Sequence, residues 1–202
     1  RTDPVFRVRL FALLGASSVL GDHLIANPTT WHLLRHDAPT RCDMLRELLG
    51  CIGAAPAGLV GDTATDTLDN VGTYRAAGTG TTCTTIETTL KQTYRTLLMR
   101  IAAIDLAGTY PENSRRVGQP EVPLGTVTAQ LADLADAALT AALAVAIRHV
   151  YGDNPVESQL AVIAMGKCGA RELNYISDVD VVFVAEPADA AATRVATELI
   201  RL

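Results

Sequence analysis

Apolar residues recur at helical spacing through most of the first 155 positions. Residues 5 to 14 predict a first helix, ending at Gly15. Ser17 or Ser18 is placed to cap a second, which runs to the Asn27-Pro28 stop. Thr30 is placed to cap a third, short one. Thr40 and Asp43 form a capping box, in which each side chain satisfies a free backbone N–H of the first turn. The helix behind it carries Met44, Leu45, Leu48 and Leu49 on one face. Thr84 and Glu87 repeat the box and open a helix to about Gly108, with Leu90, Tyr94, Leu97, Leu98, Ile101 and Ile104 at helical spacing. A long Ala-rich helix is predicted from about Thr126 to Tyr151, with Leu131, Leu134, Ala138, Ala142 and Val145 as its buried stripe. Two stretches lack this periodicity. The Gly-, Thr- and Asp-rich segment 58–85 and the Pro- and Gly-bearing segment 111–125 read as loops.

After Pro155 the period changes. LAVIAM, Leu160 to Met165, is an unbroken apolar run of strand length, and VDVVFV, Val179 to Val184, is rich in β-branched residues. Both predict short strands buried on both faces beneath covering helices. The expected fold class is α+β and predominantly helical. A helical region, 1–155, leads into the start of an α/β unit, 156–202. The chain begins without Met and stops inside a predicted helix, so a piece of a longer protein is expected.

Composition narrows the function classes. Of 202 residues, 49% are apolar, enough for a sizeable core; only 4% are aromatic, which favours close-packed helices over an aromatic-rich sandwich. The formal charge is −5 with no basic run, so no nucleic-acid partner is expected. Cys42, Cys51, Cys83 and Cys168 show no C-x-x-C spacing and read as reduced thiols. The most apolar run, Ala137 to Ile147, is too short to span a bilayer and has Asp133 and Asp136 just upstream. With no signal-peptide pattern either, a cytoplasmic protein without a membrane partner is expected.

The chemistry concentrates in MGKCGARELNYISDVDVVFV, residues 165–184. On a strand, Asp178 and Asp180 project from the same face, roughly 7 Å apart by strand rise. Two such carboxylates suit Mg²⁺, which is usually held by one or two carboxylates plus substrate phosphates. Gly166 and Gly169 flank Lys167, one of only two lysines in the chain. Glycine lets backbone amides approach a phosphate closely, and lysine adds a compact positive charge. Ser177 is placed to donate to a phosphate oxygen, and Arg171 to add a second cation. Each feature alone is common in structural roles. Their order, strand, Gly-Lys-x-Gly, Ser-Asp-x-Asp, strand, is what singles them out.

GKCGARELNYISDVDVVF resembles the signature of the nucleotidyltransferase domains of the glutamine-synthetase adenylyltransferase family, G-K/R-x-G-x-x-E-L-x-x-x-S-D-x-D-h-x-F with h apolar. Gly166, Lys167, Gly169, Glu172, Leu173, Ser177, Asp178, Asp180 and Phe183 meet its fixed positions. GASSVLGDHLIANP and YRTLLMRIAAIDLAG resemble the family's helical lead-in, so the likeness covers most of the chain. It implies a polymerase-beta-like nucleotidyltransferase sheet, with Asp178 and Asp180 as catalytic metal ligands and Gly166 to Gly169 facing nucleotide phosphates. It implies a third carboxylate on a later strand, and no suitable strand follows Asp180; Glu186, Asp189 and Glu198 are not assigned that role. The family carries two such domains. One removes AMP from a tyrosine of glutamine synthetase by phosphorolysis, releasing ADP; the other attaches AMP from ATP. Glu172-Leu173-Asn174 resembles the removing half, whose pattern is E-L-N rather than E-L-G. Implied partners are glutamine synthetase, nucleotide, phosphate and a nitrogen-status signalling protein. The attaching half and a non-catalytic docking piece are the alternatives.

Other candidates read as structural. His32 and His36 are four apart, but no H-E-x-x-H pattern or third ligand accompanies them. His23 and His149 stand alone. Trp31 and Tyr94 fit core or interface positions. Tyr175, between the glycine turn and the aspartates, suits either packing or a nucleotide pocket.

Overall fold

The computed structural model describes residues 3–54, 83–109, 112, 117–118 and 121–202. Helix α1, Pro4–Ala16, starts where Asp3 Oδ1 accepts the amides of Val5 and Phe6 at 3.0 and 3.2 Å. It continues through Gly15, the predicted end. Ser17 then turns extended and caps α2, Ser18–Ala26, by accepting the Leu20 amide at 3.3 Å. A 3₁₀ segment, Pro28–Arg35, follows. Its cap position is Asn27 and not Thr30, because Pro28 already presets a helical φ. Thr30 Oγ1 instead donates back to the Asn27 carbonyl at 2.7 Å.

The capping box at Thr40 and Asp43 is present, and opens α3, Arg41–Cys51. Met44, Leu45, Leu48 and Leu49 are all buried on its inner face. Helix α4 spans Cys83–Thr109 and so already includes Thr84. Glu87 pairs with Arg201 at 3.0 Å. Most of the two predicted loops, 58–85 and 111–125, lies outside the described residues.

Helix α5, Leu124–Tyr151, is the centre of the molecule. Of the predicted stripe, Leu131, Leu134, Ala142 and Val145 are buried and Ala138 is partly so. Every residue from Ala141 to Ile147 is buried, so this end of the helix is surrounded rather than one-sided. Alanine permits that, because it keeps neighbouring helices close without polar groups to satisfy. As a whole, α5 is long and apolar enough to cross a membrane by length and composition alone, but 67% of its most apolar window is buried inside the protein, as in a core helix.

The strands β1, Gln159–Ala164, and β2, Val181–Glu186, pair antiparallel, with Leu160 opposite Ala185 and Ala164 opposite Val181. A single helical turn α6, Gly166–Gly169, follows β1, and α7, Ala190–Arg201, follows β2. Asp189 caps α7, its Oδ1 accepting the Ala192 amide at 2.7 Å. One face of the sheet, with Leu160, Val162, Ala164 and Phe183, packs on the core shared by α3, α4, α5 and α7. The other face is open: Ile163 is 46% exposed, Val182 46% and Val184 53%. Burial on both faces was expected from the apolar runs. The observed burial alternates residue by residue, as in a sheet covered on one side.

Candidate functional site

The glycine turn and the aspartate pair meet at one end of the two strands. The Met165 amide donates to the Asp180 carbonyl at 2.8 Å, which extends the β1–β2 ladder by one bond beyond Ala164 and Val181. Asp178 and Asp180 therefore sit just ahead of β2 rather than within it. Asp180 keeps the strand alternation: Val181 and Phe183 turn inward, and Asp180 shares the open face with Val182 and Val184. Asp178 is exposed as well.

Gly166 lies directly against this pair. Its φ is +53°, a backbone conformation that glycine adopts at no steric cost. A Cβ placed on it would stand 3.2 Å from Asp180 Oδ2. Lys167 follows on the exposed side of the turn. Among the described residues, no hydrogen bond or ion pair reaches the Lys167 ammonium or the carboxylates of Asp178 and Asp180. These three charged groups are open to a ligand.

The remaining predicted residues make contacts within the protein. Gly169 is glycine because α6 presses on β1: a Cβ there would lie 2.4 Å from the Ala164 carbonyl oxygen. Its amide donates to the Met165 carbonyl at 3.0 Å. Ser177 Oγ accepts the Asn174 amide at 3.4 Å, closing a turn in which Asn174 Oδ1 accepts the Ile176 amide at 3.0 Å. Arg171 is not a second cation at the site. Its Nη2 donates to Asp133 Oδ1 at 2.9 Å and to the Ala129 carbonyl at 3.5 Å, both on α5. Asp133 also meets Arg41 Nε at 3.5 Å, and Arg41 reaches Asp136 at 3.6 Å. Burial pushes the Asp136 carboxyl up despite Arg41.

Tyr175 resolves toward an attachment role. Its hydroxyl donates to Asp105 Oδ2 on α4 at 2.8 Å. Partial burial, and then the Asp105 carboxylate, push its phenol well above the usual tyrosine range, so it stays a donor. Sequence reasoning did not find Asp105 or Asp133. Neither stands in a motif, and each acts on a residue far along the chain.

Cys168 is buried and anchors the turn to the core; burial, then Asp136, push its thiol up. Among the described residues no group of three or more His, Cys, Asp or Glu side chains could hold a metal. Asp189 is occupied as the α7 cap and accepts Ser158 Oγ at 3.0 Å, and Glu198 pairs with Arg201 at 3.0 Å. His32 and His36 are exposed, with ring centroids 6.5 Å apart. Trp31 packs edge-on against Phe6 at 5.4 Å beneath the Arg35 guanidinium.

Comparison with known proteins agrees with the signature that runs through this site. The chain is 61% identical over its whole length to the bifunctional glutamine synthetase adenylyltransferase/adenylyl-removing enzyme of Corynebacterium glutamicum, of which it spans 20%. It is 56% identical to the same-named protein of Corynebacterium efficiens, again over the whole chain and 20% of that protein. The Mycobacterium avium protein is 44% identical over the whole chain and 17% of its own length. The chain thus spans about a fifth of the length of the curated relatives it matches. No solved structure matches. The family model described as glutamate-ammonia ligase adenylyltransferase matches residues 70–199, a span that contains the glycine turn, Lys167 and both aspartates, and the chain belongs to that family.

Proposed function

We propose that this chain is part of the enzyme that removes AMP from the adenylylated tyrosine of glutamine synthetase. In that reaction an oxygen of inorganic phosphate forms a bond to the adenylyl phosphorus, the bond from phosphorus to the tyrosine oxygen breaks, and the tyrosine recovers a proton. The products are ADP and unmodified synthetase. The observation that carries the reading is the set of three unpartnered charges, Lys167, Asp178 and Asp180, with Asp180 held against Gly166. Membership of the adenylyltransferase family supports it, and Glu172-Leu173-Asn174 favours the removing half.

Asp178 and Asp180 fit Mg²⁺: both are exposed carboxylates without protein partners, and Mg²⁺ commonly takes one or two carboxylates together with substrate phosphates. When bound there, the ion would offset charge on the transferring group. Lys167 would bind phosphate oxygens as a point charge. The order β1, glycine turn, Asp178-x-Asp180, β2 supports reading this unit as the start of a polymerase-beta-like sheet.

The test uses the full-length protein with Asp178→Asn or Asp180→Asn. ADP formation from adenylylated synthetase and phosphate should stop, while pyrophosphate release from ATP and unmodified synthetase continues. Loss of pyrophosphate release instead would assign the chain to the attaching half. Both activities intact would leave only the docking role.

A further inference from the structure

We infer that Arg171 and Tyr175 are positioning residues, a two-point clasp that fastens the segment between the glycine turn and the aspartates to the helical part. The segment from Ala170 to Asp180 has little regular structure of its own. Its local backbone bonds cluster at its start, where the amides of Ala170, Arg171 and Glu172 donate to the carbonyls of Gly166, Cys168 and Lys167 at 3.0, 3.1 and 2.8 Å; beyond Glu172 only Ser177 makes such a local bond, to Asn174 at 3.3 Å. Leu173, 4% exposed, plugs its middle into the core. One apolar plug fixes a position but leaves the segment free to pivot about it. Arg171 and Tyr175 stand two residues to either side of that plug. Arg171 reaches Asp133 and the Ala129 carbonyl on α5, and Tyr175 reaches Asp105 on α4. Attachments to two different helices, on opposite sides of the plug, remove the pivot. The acceptor on α5 is itself held, because Arg41 at the start of α3 pairs with Asp133 at 3.5 Å.

The backbone of Arg171 supports the same conclusion. Its φ is +59°, a left-handed conformation that side-chain-bearing residues adopt at a cost and glycine does not. Local conformation therefore favours glycine at this position, and the side chain's bonds to α5 account for arginine. The clasp sets where Gly166 and Lys167 stand relative to Asp178 and Asp180. Its link to catalysis rests on the reading of those aspartates as cation ligands.

Amide hydrogen exchange and Mn²⁺ titration on the 202-residue chain test this, with Arg171→Gly, Tyr175→Phe and the double variant. Arg171→Gly also relieves the backbone, so it should fold. The amides of Met165 and Glu172, bonded to Asp180 and Lys167, should exchange about tenfold faster in the double variant, with α4 and α5 still protected. Mn²⁺ affinity should fall about tenfold, as two lost hydrogen bonds allow. Arg171→Lys, which can still reach Asp133, should restore much of both. Unchanged exchange at Met165 and Glu172, or an equal rise throughout α4 and α5, would overturn the clasp. Absence of Mn²⁺ binding in the unaltered chain would overturn its link to catalysis and the reading of Asp178 and Asp180, while the exchange result would still decide the clasp.

Discussion

Asp180 Oδ2 lies 3.2 Å from where a Cβ on Gly166 would stand. The glycine turn and the second aspartate therefore share one small space, and the absence of a side chain on Gly166 lets the carboxylate occupy it. Gly166→Ala adds a methyl group in a backbone conformation with φ +53°, at a cost of roughly 1–2 kcal/mol. The carboxylate is a side-chain end and can rotate away, so the fold should survive with that modest loss. The rotated carboxylate is displaced from the exposed pair, so Mn²⁺ binding should weaken more than stability does. Urea unfolding beside a Mn²⁺ titration separates the two effects.

Gly169 should behave in the opposite way. A Cβ there would meet backbone, the Ala164 carbonyl oxygen at 2.4 Å, and backbone at the end of a paired strand cannot rotate aside. Gly169→Ala should cost about 2–3 kcal/mol through overpacking between α6 and β1. Its effect should appear first in the urea midpoint, with cation binding falling only as the protein unfolds. A neutral Gly169→Ala would show that α6 can lift from β1.

A buried histidine should make the helical part sensitive to acid. Thr96 donates its hydroxyl hydrogen to the Gln92 carbonyl at 2.9 Å, so its oxygen accepts from His23 Nε2, also at 2.9 Å. His23 Nδ1 then accepts from Asn27 Nδ2 at 3.3 Å. This network suits the neutral imidazole. Burial, and then Arg95, hold the His23 pKa below its ordinary 6.5. With the folded value depressed, the unfolded chain takes the proton first as pH falls. Stability is full above about pH 6.5 and is lost as pH falls through the lower folded value. The urea midpoint should therefore drop between pH 7 and pH 5, and His23→Gln should flatten that dependence.

Features that depend on neighbours in sequence were legible, and those that depend on distant partners were not. The Thr40–Asp43 box and the face of Met44, Leu45, Leu48 and Leu49 are decided within one or two turns, and the structure has both. The order of strand, glycine turn and aspartates was legible too, but the contact of Gly166 with Asp180 was not, because it comes from the antiparallel pairing of β1 and β2. The partners of Arg171 and Tyr175 lie 38 and 70 residues away, on helices whose rotation no local pattern reports. Arg171 therefore read as a free cation. The packing duty of Gly169 was hidden for a similar reason, since a close approach to Ala164 looks in sequence like any other glycine turn.

The strands carry the last such case, and it yields a test. An apolar run such as VVFVAE shows that side chains avoid water, without showing which face is covered. In the structure Phe183 packs on the core while Val184, the next residue, is 53% exposed. Phe183→Ala should cost about 2 kcal/mol, less than the roughly 3–5 of a fully buried ring because Phe183 is only partly buried. Val184→Thr keeps the branched shape and β propensity, and should stay within about 0.5 kcal/mol in this 202-residue chain. The same pair measured in the full-length protein reports on the open face. If Val184→Thr becomes as costly there as a core substitution, another part of the longer protein covers Ile163, Val182 and Val184. If it stays neutral, that face is solvent-exposed in the full-length protein as well, and Asp180 shares it with water.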